Sequence, residues 1–258
     1  MPLDSLPNAR DLGGRPGAEG RTIREGLVYR SAALSEGRYL EPLTHLGIRR
    51  VFDLRTAGER NSRPDVLPEA ARLIVADVLS DDPASGPASL GKIAQHAMTG
   101  DDGTDVDTEA LRETFRTGYR SFVSMGSARR ASREFLSAVA DPYEPAILVH
   151  CTAGKDRTGW LAALLLLTLG TPWEDVLADY EASAEPVWSL FEPFQDTFLE
   201  HGGNLDAIKV ALGVFPEYLE ASRDQMLTEF GSIDAYLTSG LGLPADFRTR
   251  LAARMLTG

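Results

Sequence analysis

His150-Cys151-Thr152-Ala153-Gly154-Lys155-Asp156-Arg157-Thr158-Gly159 is the stretch on which the reading of this chain turns. The residues before it, Pro145-Ala146-Ile147-Leu148-Val149, form a short apolar run that predicts a buried strand. Those after it, Trp160-Leu161-Ala162-Ala163-Leu164-Leu165-Leu166-Leu167, predict a buried helix. The stretch therefore belongs on a strand-to-helix turn, where successive backbone N–H groups and the helix N-terminus converge on one point and suit a phosphate dianion. Gly154 allows the backbone to approach closely.

A field that attracts phosphate also favours a thiolate. Cys151, the single cysteine, is expected to ionise well below the roughly 8.5 of a free thiol and to act as nucleophile. Arg157, six residues on, offers a planar fork for two phosphoryl oxygens, a geometry that lysine lacks. Thr158 is placed to donate its hydroxyl to the thiolate, and His150 to fix the turn through backbone. The backbone of Thr152, Ala153, Gly154 and Lys155 completes the expected substrate cradle. Asp156 lies inside the turn, where a carboxyl group can protonate a leaving oxygen. Nothing in this scheme needs a metal ion or another cofactor.

Beyond the turn, Asn8-Ala9-Arg10-Asp11-Leu12-Gly13-Gly14, Val28-Tyr29-Arg30-Ser31-Ala32 and Val51-Phe52-Asp53-Leu54-Arg55-Thr56 resemble the opening blocks of the atypical bacterial protein tyrosine phosphatases of the mycobacterial B type. Gly154 to Thr158 is similar to that family's loop, and the similarity runs on through Glu217-Tyr218-Leu219, Phe230-Gly231-Ser232 and Tyr236-Leu237, so it covers nearly the full chain. The resemblance implies a cysteine-dependent phosphatase acting on phosphotyrosine, with breadth extending to phosphoserine, phosphothreonine and phosphoinositides. Lys155 bears on that breadth as a second cation suited to polyanionic head groups, or else it faces solvent. The resemblance also carries Asp156 over as general acid. A second carboxylate stays open, because Asp77 in Leu73-Ile74-Val75-Ala76-Asp77 lies where conventional relatives place a mobile acid, although the family's proline and aromatic residues are missing there. Asp53 and Arg55 read as a structural pair, and Glu59 as serving the turn that follows.

At 258 residues the chain suits one phosphatase domain spanning residues 1–258. Its net charge of −12 and pI near 4.8 argue against nucleic-acid partners and against a broad basic membrane-binding face. No apolar run approaches the roughly 20 residues of a bilayer span, and Met1-Pro2-Leu3-Asp4-Ser5 lacks the features of a secretory signal. The default expectation is a cytoplasmic protein, with export by a route that leaves no readable signal still open. Partners are expected to be phosphorylated proteins or phosphoinositides.

The predicted fold is α/β: a central, mostly parallel sheet of about four strands flanked by helices, with a helical C-terminal region. Val187, Trp188, Leu190, Phe191, Phe194 and Phe198 are more apolar surface than one short helix buries on one side; the resemblance implies that about 185–213 forms a helical lid over Cys151, the alternative being a helix pair packed permanently on the core. Leu111, Phe115, Tyr119 and Phe122 recur at helical spacing and read as core. Thr171-Pro172-Trp173-Glu174 reads as a capping box opening a helix through about Ser183. Residues 80–107, rich in Asp, Gly, Pro, Ser and Thr, read as a surface segment beside the site. Two other readings of the turn are a phosphate-binding pseudophosphatase and, more remotely, a sulfurtransferase.

Overall fold

The computed structural model describes residues 2–82 and 107–258; most of the surface segment expected at 80–107 lies outside the described residues. Five strands form one sheet: β1 (Arg10–Asp11), β2 (Val28–Ser31), β3 (Ile48–Asp53), β4 (Arg72–Val75) and β5 (Ala146–His150). Their order is β1-β2-β5-β3-β4, and only β1 runs antiparallel to its neighbour. The expectation of about four strands missed β1, whose two residues are too few to carry an alternating pattern.

β5 lies between β2 and β3, covered on both faces, which is why its sequence is continuously apolar. Its side chains alternate all the same: Ile147 and Val149 join the large core, and Leu148 joins a smaller one on the opposite face with Tyr29, Leu43, Ile48 and Val51. Helices α1 (Leu40–His45) and α2 (Ala57–Ser62) belong to the first half of the chain. The large core is built by α3 (Thr108–Ser124), α4 (Gly126–Ala140), α5 (Asp156–Thr168), α6 (Trp173–Glu181) and, after three short helices, the long α10 (Pro216–Phe230) and the final α11 (Phe247–Met255). Every residue of α5 except Leu167 is buried, so the helix is apolar all round except at its first turn. Phe115, Tyr119 and Phe122 are core residues, as expected, and Phe115 stacks on Tyr218 of α10 with centroids 5.2 Å apart.

The three short helices are α7 (Ala184–Leu190), α8 (Glu192–Glu200) and α9 (Leu205–Leu212). Phe198, Ile208 and Leu212, with Phe191 and Phe194 against them, form a small core of their own. The capping box expected at Thr171 does not form. Gly170, at φ +84°, and Thr171 instead close the end of α5, their amides donating to Leu167 O and Leu166 O at 3.1 and 3.0 Å. Thr171 is thus spent on the helix behind it, Pro172 caps α6, and the helix ends at Glu181. A capping box does form at α2, between Thr56 and Glu59. No described helix is long and apolar enough to cross a membrane.

Candidate active site

The parallel register aligns Ser31, His150 and Asp53 at the carboxyl ends of β2, β5 and β3, the edge where such sheets bind ligands. The Cys151 turn leaves β5 at this edge and enters α5 at Asp156, confirming the strand-to-helix placement. Gly154 sits at φ +69°, and a Cβ there would lie 2.2 Å from Ser31 O, so only glycine fits both the conformation and the space. Cys151 is a free, buried thiol. His150 Nδ1 stands 3.1 Å from Cys151 O, the backbone contact expected of it. Its Nε2 lies 3.1 Å from Asp65 Oδ2.

Arg157 is buried, and both of its terminal nitrogens are occupied. Nη1 donates to Glu59 Oε2 at 2.8 Å and Nη2 to Glu59 Oε1 at 2.7 Å. Glu59 also accepts from the Thr152 hydroxyl and from Thr56 N. Burial opposes the charged form of Glu59, but the hydrogen bonds and charge of Arg157 outweigh it and hold the carboxyl well below the usual range. Arg157 Nε remains buried without an acceptor, as does the Thr158 hydroxyl, which does not meet the cysteine here. Glu59 is the site residue that sequence reading missed. Its signal was the Thr56-x-x-Glu59 capping box, but nothing local to that box shows that the same carboxylate grips an arginine 98 positions away.

Asp156 is 4% exposed. Its Oδ1 accepts from the Tyr119 hydroxyl at 2.7 Å and lies 3.4 Å from Lys155 Nζ. The Tyr119 and Tyr180 hydroxyls are 2.6 Å apart, and burial, reinforced by Asp156, pushes both phenols well above their ordinary range. Tyr119 therefore keeps its proton for Asp156, and Tyr180 donates to Tyr119. Lys155 does not face solvent. It is 1% exposed, and its ammonium donates to Ala211 O and Gly213 O at 2.9 and 3.0 Å, over the ring of Phe115. These carbonyls end α9, so a cation of the turn caps the last of the three short helices. Asp77 is engaged elsewhere: Oδ1 accepts from Leu79 N at 3.0 Å and Oδ2 lies 3.6 Å from Arg60.

Asp53, Asp65 and His150 bring ligand atoms within 4.8 Å of one another. Arg55 already supplies the positive charge there, donating to both oxygens of Asp53 at 2.9 and 2.8 Å and lying 2.9 Å from Asp65. The Asp53–Arg55 pair is the structural unit the sequence predicted.

The tyrosine phosphatase family model matches residues 1–257. The chain belongs to the tyrosine phosphatase family. Among relatives of this phosphatase, a candidate tyrosine-protein phosphatase of Cupriavidus necator is 32% identical over 257 residues, covering 93% of this chain and 84% of that protein. The triple specificity protein phosphatase PtpB of Mycobacterium tuberculosis is 29% identical over 263 residues, covering 92% and 93%. A tyrosine-protein phosphatase of Nostoc commune is 27% identical over 144 residues, covering 56% of this chain and 43% of that protein. The phosphatase thus resembles two of these relatives across nearly its whole length.

Proposed function

We propose that the protein hydrolyses phosphomonoesters of tyrosine, and of serine, threonine and phosphoinositides, through a cysteinyl-phosphate intermediate. The observation that carries this reading is a buried guanidinium whose Nη atoms are clamped by Glu59 while Nε, in the same turn as the free thiol of Cys151, is left for an incoming anion. The similarity to a relative named for triple specificity supports the breadth. In the first step the Cys151 thiolate attacks phosphorus, the bond from phosphorus to the ester oxygen breaks, and Asp156 gives that oxygen its proton. In the second, water attacks phosphorus, the phosphorus–sulfur bond breaks to restore the thiolate, and Asp156 takes a proton from the water. Both protein contacts to Asp156 fall on Oδ1, so Oδ2 is the oxygen assigned to this proton. Thr152, Ala153, Gly154, Lys155 and Thr158 complete the cradle. α7 to α9 act as a lid whose end is held by Lys155.

The test is steady-state hydrolysis of an aryl phosphate with EDTA present, comparing the wild type with Cys151→Ser, Arg157→Ala, Asp156→Asn and Asp77→Asn. Loss of turnover is expected with the first two, together with a fall of about 100-fold for Asp156→Asn. A larger loss from Asp77→Asn would move the acid to Asp77. A wild type that binds phosphate without turnover would favour the pseudophosphatase.

A further inference from the structure

Three consecutive carbonyls of the turn are each taken by a donor from the N-terminal part of the chain. Thr152 O accepts from Ala33 N at 3.1 Å, Ala153 O from Asn8 Nδ2 at 2.9 Å, and Gly154 O from Arg30 Nη2 at 2.7 Å. Because a trans peptide points its C=O and the following N–H in opposite directions, these bonds aim the amides of Ala153, Gly154 and Lys155 away from the N-terminal segment. The result is a row of oriented N–H dipoles, the arrangement that binds oxyanions.

The two side-chain donors are themselves fixed. Asn8 is 5% exposed and holds φ +51°, an unusual conformation for a residue other than glycine, while its Oδ1 accepts from Arg10 Nη1 at 2.9 Å. Arg30 is fully buried and bridges Gly154 O to Asp179 Oδ2. Asp179 also holds Arg10 at 2.9 Å and Arg15 at 2.6 Å, so one carboxylate of α6 anchors the whole group. None of these residues belongs to the cysteine turn.

Resting on the reading of Cys151 to Arg157 as an oxyanion site, we infer that Asn8 and Arg30 are positioning residues for that reaction. By pulling the carbonyls of Ala153 and Gly154 outward they preset the amides that receive the phosphoryl oxygens. Without them, the carbonyls of Ala153 and Gly154 lose the donors that hold them away from the anion.

The experiment is calorimetric binding of inorganic phosphate in a Cys151→Ser background, which isolates the amide row from the thiolate, together with kcat and KM in the wild-type background. Asn8→Gly tolerates the positive φ and leaves the charge unchanged, and is expected to weaken phosphate about tenfold and to lower kcat more than KM rises. Arg30→Lys keeps the charge but cannot span Asp179 and Gly154, and is expected to weaken phosphate similarly. Ser232→Gly removes a remote helix cap, whose side chain accepts from Ala235 N at 3.1 Å, and calibrates the effect of lost stability alone. Phosphate affinity unchanged in Asn8→Gly, or lost no more than in Ser232→Gly at equal melting temperature, would overturn the inference. Full phosphate affinity in Arg30→Lys would assign Arg30 a charge effect and remove it from the positioning pair. A wild type that binds phosphate without hydrolysing esters would sink the proposed reaction but leave the positioning test standing. One that binds no phosphate would sink both.

Discussion

Glu59 illustrates how one side chain can serve two elements at once. It completes the capping box of α2 and clamps both terminal nitrogens of Arg157. Glu59→Gln keeps the shape but loses the charge, so the fork gains freedom to swing; kcat is expected to fall about 10- to 100-fold. Since Arg157 holds the carboxyl of Glu59 well below the usual range, Glu59 stays ionised through the neutral range of an activity assay. The acid limb of the rate profile is therefore expected to persist unchanged in Glu59→Gln, and its disappearance would make Glu59 a titrating participant. Gly154→Ala is a sharper case, because its Cβ would lie 2.2 Å from Ser31 O at a φ of +69°. Loss of turnover is expected, with destabilisation of about 1–3 kcal/mol by urea titration. The choice of Asp156 over Asp77 rested on the family resemblance, whereas the strand-to-helix turn that carries Cys151, Gly154 and Arg157 was legible from spacing. Glu59 was not, because its meeting with Arg157 depends on β3 lying beside β5, which no local pattern records.

At the scale of elements, β5 and α5 could be read directly because each is buried all round and so is continuously apolar. β1 was invisible for the opposite reason: two residues carry no period. The start of α6 was misplaced by one residue because Thr171 is claimed by the end of the preceding helix. The short helices α7 to α9 were expected from the family resemblance, and Phe198, Ile208 and Leu212 form a small core among them. What sequence could not supply is their tie to the active turn through Lys155. Lys155→Met removes the donor from Ala211 O and Gly213 O, at a cost of about 1.5–3 kcal/mol for a charged hydrogen-bonding group. Faster amide hydrogen exchange across Leu205–Leu212 is the expected result. Exchange unchanged there, while the rest of the chain is also unchanged, would show that the contact does not hold the helix.

The whole molecule concentrates buried charge behind the turn. Burial opposes ionisation of Asp179, but the charges of Arg30, Arg10 and Arg15 pull its pKa down to about 2, and Asp65 is likewise held at about 2 against burial by His150 and Arg55. A carboxylate depressed in the folded state stabilises it fully above the unfolded value of about 3.9, and that contribution is lost as pH falls toward the folded value. Stability by urea titration is therefore expected to hold level from pH 7 to 5 and to fall between roughly pH 4 and 2, with about 2–3 kcal/mol coming from Asp179. Asp179→Asn is expected to flatten part of that fall and to cost about 3–5 kcal/mol at pH 7, since three guanidinium groups lose their common partner. A variant with an acid profile parallel to the wild type would exclude Asp179 as a source of the slope.

The donors that orient the turn come from residues 8, 30 and 33, and the same N-terminal region is closed by the far end of the chain, where Ile23 pairs with Leu256 and Thr257 N donates to Thr22 O at 2.8 Å. During synthesis the segment carrying Asn8 and Arg30 thus leaves the ribosome well before the last turn of α11, which closes over its neighbours Thr22 and Ile23. The side-chain contacts that shape the anion site span 145 and 124 positions, and the closure over Thr22 spans 235, so all of them are long-range contacts that form late and slowly. A nascent chain arrested before Leu256 carries the nucleophile, the arginine and the glycine turn, yet lacks the closure that keeps its first segment seated. Competence to bind phosphate is therefore expected to appear only once the residues through Thr257 have emerged and closed on Thr22, so a shorter nascent chain is not yet a working phosphatase.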